Sequence, residues 1–205
     1  MHGFSNSART RRSTGASRGS IALALLLATA ALALGGPIPS ARAQLATACP
    51  NASLFPTNSN LRAVDAATVC LIDNVRRDAH LRPLRPNPSL HGVAAGQSSE
   101  MVLGNYFGDN TRSGQTPLQR IVATRYRKRT TRVATAQNIG WGTNSLATPA
   151  AIVAAWMASP PHRHIMLTAG FRDVGVGAAP AAPSALSAGQ PGATYTVEFG
   201  ARLHR

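Results

Sequence analysis

The sequence predicts an α+β fold, with helices leading and a sheet completed near the C-terminus, on three observations. Between Leu61 and His80 the apolar residues Val64, Ala67, Leu71 and Val75 recur at three- and four-residue steps, the spacing of one helix face. Two pairs, Asn87-Pro88 and Thr148-Pro149, set a capping side chain before a proline whose fixed φ suits the first helical position. Close to the C-terminus, Val174-Gly175-Val176-Gly177 and then Tyr195, Val197 and Phe199, alternating with Thr194, Thr196 and Glu198, have the two-residue period of strands. Helices followed by a helix and a sheet make an α+β sandwich.

Residues 1–43 stand apart from this domain. Arg9, Arg11, Arg12 and Arg18 form a basic leader, Ile21 to Leu34 is an apolar run too short to span a bilayer comfortably, and Ala41-Arg42-Ala43 has the small-x-small cleavage pattern. The expectation is a signal peptide cut after Ala43, and hence a secreted, extracellular chain with no integral membrane segment after cleavage. The 21 Lys and Arg residues against 7 Asp and Glu give the whole chain a net charge of +14. The leader takes five of the basic residues and none of the acids, so the remainder stays strongly basic. Such a charge favours anionic partners in a salt-dependent way. Lys128 is the single lysine among the basic residues, so part of the charge reflects a preference for arginine.

The two cysteines, Cys49 and Cys70, lie in the exported part, where oxidation is permitted, and an even count of two suggests one disulfide. It would tie an extended N-terminal arm, residues 44–60, to the first helix of a single domain at 61–205. Past Pro83 and Pro86, a second helix runs from the Asn87 cap through Leu90, Val93, Ala94, Met101 and Val102 to Gly104. A polar loop holding Tyr106-Phe107-Gly108-Asp109-Asn110 leads to a third helix that starts at Ser113 or Thr116 and contains Leu118, Ile121 and Val122. From Arg125 to Arg132, five of eight residues are basic. The run is either a contact patch or a solvated loop. Val133 to Trp141 is a strand or extended segment. The helix begun at Thr148-Pro149 turns Ile152, Val153 and Trp156 inward, and Pro160-Pro161 stop it. Ser159 then caps a second short helix with His162 in its first turn, as a ligand, a base or merely a residue that fixes the turn. Residues 179–192, low in complexity with three prolines, read as a mobile loop inside an antiparallel hairpin.

Three segments fit a known pattern. Cys70-Leu-Ile-Asp-Asn-Val-Arg-Arg-Asp-Ala-His-Leu-Arg-Pro-Leu84, Ala136-Gln-Asn-Ile-Gly-Trp-Gly142 and Trp156-Met-Ala-Ser-Pro-Pro-His-Arg163, followed by the Val174–Gly177 strand, resemble the bacterial branch of the CAP superfamily. That group comprises the cysteine-rich secretory proteins, antigen 5 and the pathogenesis-related proteins, and its module is the SCP domain. The resemblance covers most of residues 62 to 201. It implies a three-layer α-β-α sandwich and a groove lined, in many members, by two histidines and two glutamates able to hold a divalent metal.

This chain departs from that tetrad. His162 stands at one family histidine, but Asp109 follows Tyr106-Phe107-Gly108 where the other is usual. Gln137 replaces the glutamate before Asn138-Ile139, and Asn110 to Ala136 holds no glutamate. Pro161 and Ile165 replace a usual glycine and asparagine. Gln137 brings no charge, so at most a weak divalent site is expected, with no cofactor. The groove set is therefore Asp109, Gln137, Asn138 and His162, with His162 and Asp109 the candidate catalytic pair. The favoured expectation is a non-enzymatic domain that binds a lipid or an anionic cell-envelope polymer. The alternatives are a metal-assisted or His-dependent hydrolase with an altered site, and an extracellular scaffold for a protein partner, contacted through 125–132 and 179–192. No nucleophile elbow surrounds Ser159, and phosphate-binding glycine motifs and zinc-finger spacing are missing, which counts against nucleic acid as a partner.

Overall fold

The computed structural model describes residues 49–127 and 132–203. The leader, residues 44–48 of the arm and positions 128–131 of the basic run lie outside them. In chain order the elements are α1 (Leu61–Asp78), β1 (Arg85–Pro86), α2 (Pro88–Leu103), α3 (Pro117–Val122), β2 (Arg132–Thr143), α4 (Pro149–Ala158), α5 (Pro160–Met166), β3 (Asp173–Ala179), α6 (Ser184–Ser187) and β4 (Gly192–Leu203). The four strands lie in the order β1-β3-β4-β2. β4 pairs antiparallel with both β3 and β2, and β1 adds a short parallel edge to β3.

Alternation along the strands gives the sheet two faces, and each is covered by helices. Val174, Val176, Tyr195, Val197 and Phe199 point into one core with Leu71 and Ile72 of α1, Val153 and Trp156 of α4 and Met166 of α5. Gly175 and Gly177 face the other way, onto α2. A Cβ at either would overlap the α2 backbone, at Leu90 and His91 or at Ala94 and Ala95, so the two glycines let the helix lie directly on the strand. Leu90 and Val93 of α2 form a second, smaller core there with Ile121 and Tyr126. The sheet between two helical layers is the expected α-β-α sandwich.

The local signals place most ends as read. Asn87 Oδ1 accepts from the amides of Ser89 and Leu90, and Thr116 rather than Ser113 starts α3 with a reciprocal cap to Gln119. Thr148 Oγ1 accepts from the Ala151 amide at the head of α4. At α5, Ser159 occupies the cap position without a cap hydrogen bond, because its hydroxyl is committed to His162.

Two segments differ from the sequence reading. The described part of the arm is not extended at its start: residues 50–53 form turns, and Cys49 and Ala52 are buried in the main core. The Cys49–Cys70 disulfide and a hydrogen bond from the Ala150 amide to the Ala52 carbonyl hold it there. The 179–192 connection keeps residues 184–186 and 188–191 at the surface, as read, but is not structureless. Ala182, Pro183 and Ser187 are buried, α6 gives it a turn of helix, and the Ala185 amide donates to Asn105 Oδ1.

Candidate functional site

The two faces of the sheet divide the expected groove set. Gln137 lies opposite Glu198 in the β2–β4 register, and Asn138 opposite Val197. Neighbouring strand residues point to opposite faces, so Gln137 joins the α2–α3 side and Asn138 the side of α4 and α5. Asn138 is fully buried and donates from Nδ2 to the His162 carbonyl at 3.1 Å, which fastens α5 to the sheet. The His162 ring turns to Ser159, Nδ1 to hydroxyl 2.8 Å, within its own turn of helix. Asp109 meets neither. Its carbonyl accepts from Arg120 Nη2 at 3.1 Å on the α2–α3 side.

What assembles on that side is a buried polar cluster centred on Glu198. Glu198 is wholly inaccessible, and its Oε1 accepts from Gln137 Nε2 at 2.7 Å and lies 3.7 Å from Arg120 Nη2. The Arg120 side chain is itself only 9% exposed. Gln97, on the α2 face that carries Leu90, Val93 and Met101, donates to the Gly108 carbonyl at 2.8 Å and so fixes the loop before Asp109. Next to it, Ser98 donates to the Gly177 carbonyl, and its hydroxyl lies in hydrogen-bond contact with that of Thr196 on β4. Burial pushes the Glu198 carboxyl up to about 7; Gln137 and Arg120 oppose the rise, and the negative charge of Asp109 adds to it.

The cluster keeps unused hydrogen-bonding capacity. Gln97 Oε1, Gln137 Oε1, Glu198 Oε2 and Arg120 Nε are buried without a partner among the described residues. Three acceptors and one donor so placed can hold ordered water or a small polar group with donors to spare. No group of three His, Cys, Asp or Glu side chains able to hold a metal occurs among the described residues.

Glu198, Arg120 and Gln97 were missed as site residues from the sequence. Glu198 alternates with Tyr195, Val197 and Phe199, the pattern of a solvent-facing position. Arg120 reads as an exposed helix residue. Only Gln97 carried a signal, since it falls on the apolar stripe of α2 three residues after Ala94 and four before Met101.

Comparison with known proteins agrees with this architecture. The model of the cysteine-rich secretory protein family, CAP, matches residues 69–187, more than half of the chain. A search of curated proteins finds no match. Among solved structures, an outer surface protein from Borrelia burgdorferi is similar with a TM-score of 0.53 at 19% identity, over 66% of this chain and 90% of that one. An extracellular protein containing a SCP domain from Bacillus anthracis gives 0.54 at 19% identity, over 73% of this chain and 44% of that one. A cysteine-rich secretory protein from Staphylococcus aureus gives 0.51 at 18% identity, over 70% of this chain and 40% of that one. The chain thus spans less than half of the Bacillus and Staphylococcus chains, and at these identities the likeness is one of fold. With the family model and the sandwich in agreement, the chain belongs to the cysteine-rich secretory protein (CAP) family.

Proposed function

We propose that this chain is a secreted, non-enzymatic CAP domain that binds a lipid-like or cell-envelope ligand, and that it has given up the metal chemistry associated with the fold. The observation that carries this reading is the Arg120 guanidinium against Glu198. Divalent metals are held by several anionic or neutral donors around one point. Here the buried carboxyl already has a fixed cation 3.7 Å away and an amide donor on the same oxygen, and the His162 ring is turned to Ser159. These residues do not fit a divalent metal.

Zinc titrated calorimetrically into the chelator-stripped chain should give no saturable heat, and Glu198→Gln and His162→Ala should match the unaltered chain. Tight binding lost in either variant would overturn the reading and favour the metal-assisted hydrolase. Export is part of the same proposal, and mass spectrometry of protein from the medium should find an N-terminus at Gln44.

One observation favours a second reading. Ser159 and His162 are in hydrogen-bond contact, the relation of a nucleophile to its base. A helix cap residue and the residue three positions on meet in this way for structural reasons alone, and among the described residues no acid bonds the imidazole. A His-dependent hydrolase would lose its activity in both Ser159→Ala and His162→Ala. The binding reading expects neither to change a ligand interaction.

A further inference from the structure

The strand order gathers arginines at one end of the sheet. Arg85 opens β1, Arg172 precedes β3, Arg132 opens β2, and Arg202 lies next to the last residue of β4. The pairings Arg85↔Asp173, Asp173↔Gly200 and Val133↔Arg202 bring these positions together, on strands about 5 Å apart. Arg125 and Arg127 join them through Tyr126, which lies buried over Gly200, where a Cβ would overlap its hydroxyl. All six arginines are exposed.

Several of the six are held in place. Arg202 stacks on the Tyr126 ring with its guanidinium carbon 4.9 Å from the centroid. Arg85 reaches Asp173 at 3.3 Å, and Tyr126 donates to the same carboxylate at 3.0 Å. Arg172 donates to the carbonyls of Ala169 and Phe171. Guanidinium groups fixed in this way lose little freedom when they bind, and their forked donors match sulfate and phosphate oxygens. Asp173 at the head of β3 is buried beneath them, and of the chain's seven acids only Asp78 and Asp109 are exposed.

We propose that this end of the sheet is the docking surface for an extended acidic polysaccharide bearing sulfate or phosphate groups, with Arg125, Arg127 and Arg132 as one margin of a composite surface. The proposal rests on the ligand-binding reading above and assigns a surface and a partner to it. A polymer fits better than a bilayer, because, of the exposed large apolar side chains Leu103, Phe107, Leu118, Leu146, Leu186 and Leu203, only Leu203 belongs to a strand that carries one of these arginines. A polysaccharide fits better than a single-stranded nucleic acid, because the aromatic ring at this end, Tyr126, is buried and offers bases no face on which to stack.

The test measures binding of the full chain to heparin over a range of salt concentrations, with phosphatidylglycerol vesicles and duplex DNA as competing probes. Saturable heparin binding that weakens with salt is expected. Arg125→Gln with Arg172→Gln should weaken it about tenfold and make the salt dependence shallower by about two released counterions. Arg125→Gln with Arg127→Gln, which leaves the bonds of Arg172 intact, should act in the same way. The control pair Arg62→Gln with Arg163→Gln carries the same change in net charge away from this surface and should alter affinity less than about twofold. Absence of saturable heparin binding, an equal loss in the control pair, or tighter binding to vesicles or DNA would each overturn the proposal. Zinc uptake would overturn the non-metal reading of the groove while leaving polymer binding intact, so the two failures are distinguishable.

Discussion

A carboxyl buried as completely as that of Glu198 ties stability to pH. Its folded value of about 7 lies above the ordinary 4.5, so between those limits the folded chain keeps a proton that the unfolded chain has released. Stability from this group therefore falls as pH rises from about 4.5 to about 7 and then levels. Asp65, also raised to about 7 by burial against the opposing charge of His91, acts in the same sense. Melting temperatures should decline across that window, and Glu198→Gln should make the decline shallower. A melting temperature that rises through the window would contradict the assignment. At Gly177 the reason is steric. Alanine there would drive a methyl group into the Ala95 backbone, and a loss of about 3 kcal/mol is expected in urea denaturation. The paired Val and Gly residues marked a strand in the sequence, but which helix lay on them did not follow from the residues alone.

At the scale of elements, α1 is fastened by an arginine that a sequence reading leaves on its polar side. Arg76 is fully buried, donating from Nε to the Arg82 carbonyl at 3.0 Å and from Nη1 to the carbonyls of Met166 and Thr168 at 2.7 and 3.1 Å. It thereby satisfies the end of α5 from the end of α1. Replacing it with methionine strips three buried or half-buried acceptors of their donor, at a cost of about 3 kcal/mol. Arg76→Lys should recover little of this, because an ammonium cannot reproduce the planar fork. Thermal melts of the two variants, differing by no more than a few degrees, would bear this out. The proline-marked starts of α2, α3 and α4 were legible because capping is a local transaction among four residues. The polar cluster around Glu198 was not, because Asp109, Gln137, Asn138 and His162 were grouped through the family tetrad, which says nothing of how strand alternation separates Gln137 from Asn138. Adjacent residues of one strand belong to opposite layers once helices cover both faces.

Across the whole molecule, the disulfide and the charge do different work. Cys49–Cys70 closes a loop of 21 residues and holds the first described turns against α1 and α4. Cys49→Ser with Cys70→Ser should lower stability by about 3 kcal/mol, chiefly through a freer unfolded chain, and the shift of the urea midpoint measures it. The excess of arginine was plain from composition, yet only the antiparallel pairing of β4 with both β2 and β3 brings residues 125, 172 and 202 to one end. By itself, the sequence determined the longer helices, most of their caps, the strand alternation, the disulfide pair and the family, since each is written in short-range pattern or in motifs of fixed order. The tertiary structure alone decided that Glu198 is interior, that Arg120 and Gln137 lie against it, and that the His162 ring is turned to Ser159. Burial and charge pairing depend on what packs against a residue from distant parts of the chain, and periodicity along one strand says nothing about how many layers will cover it.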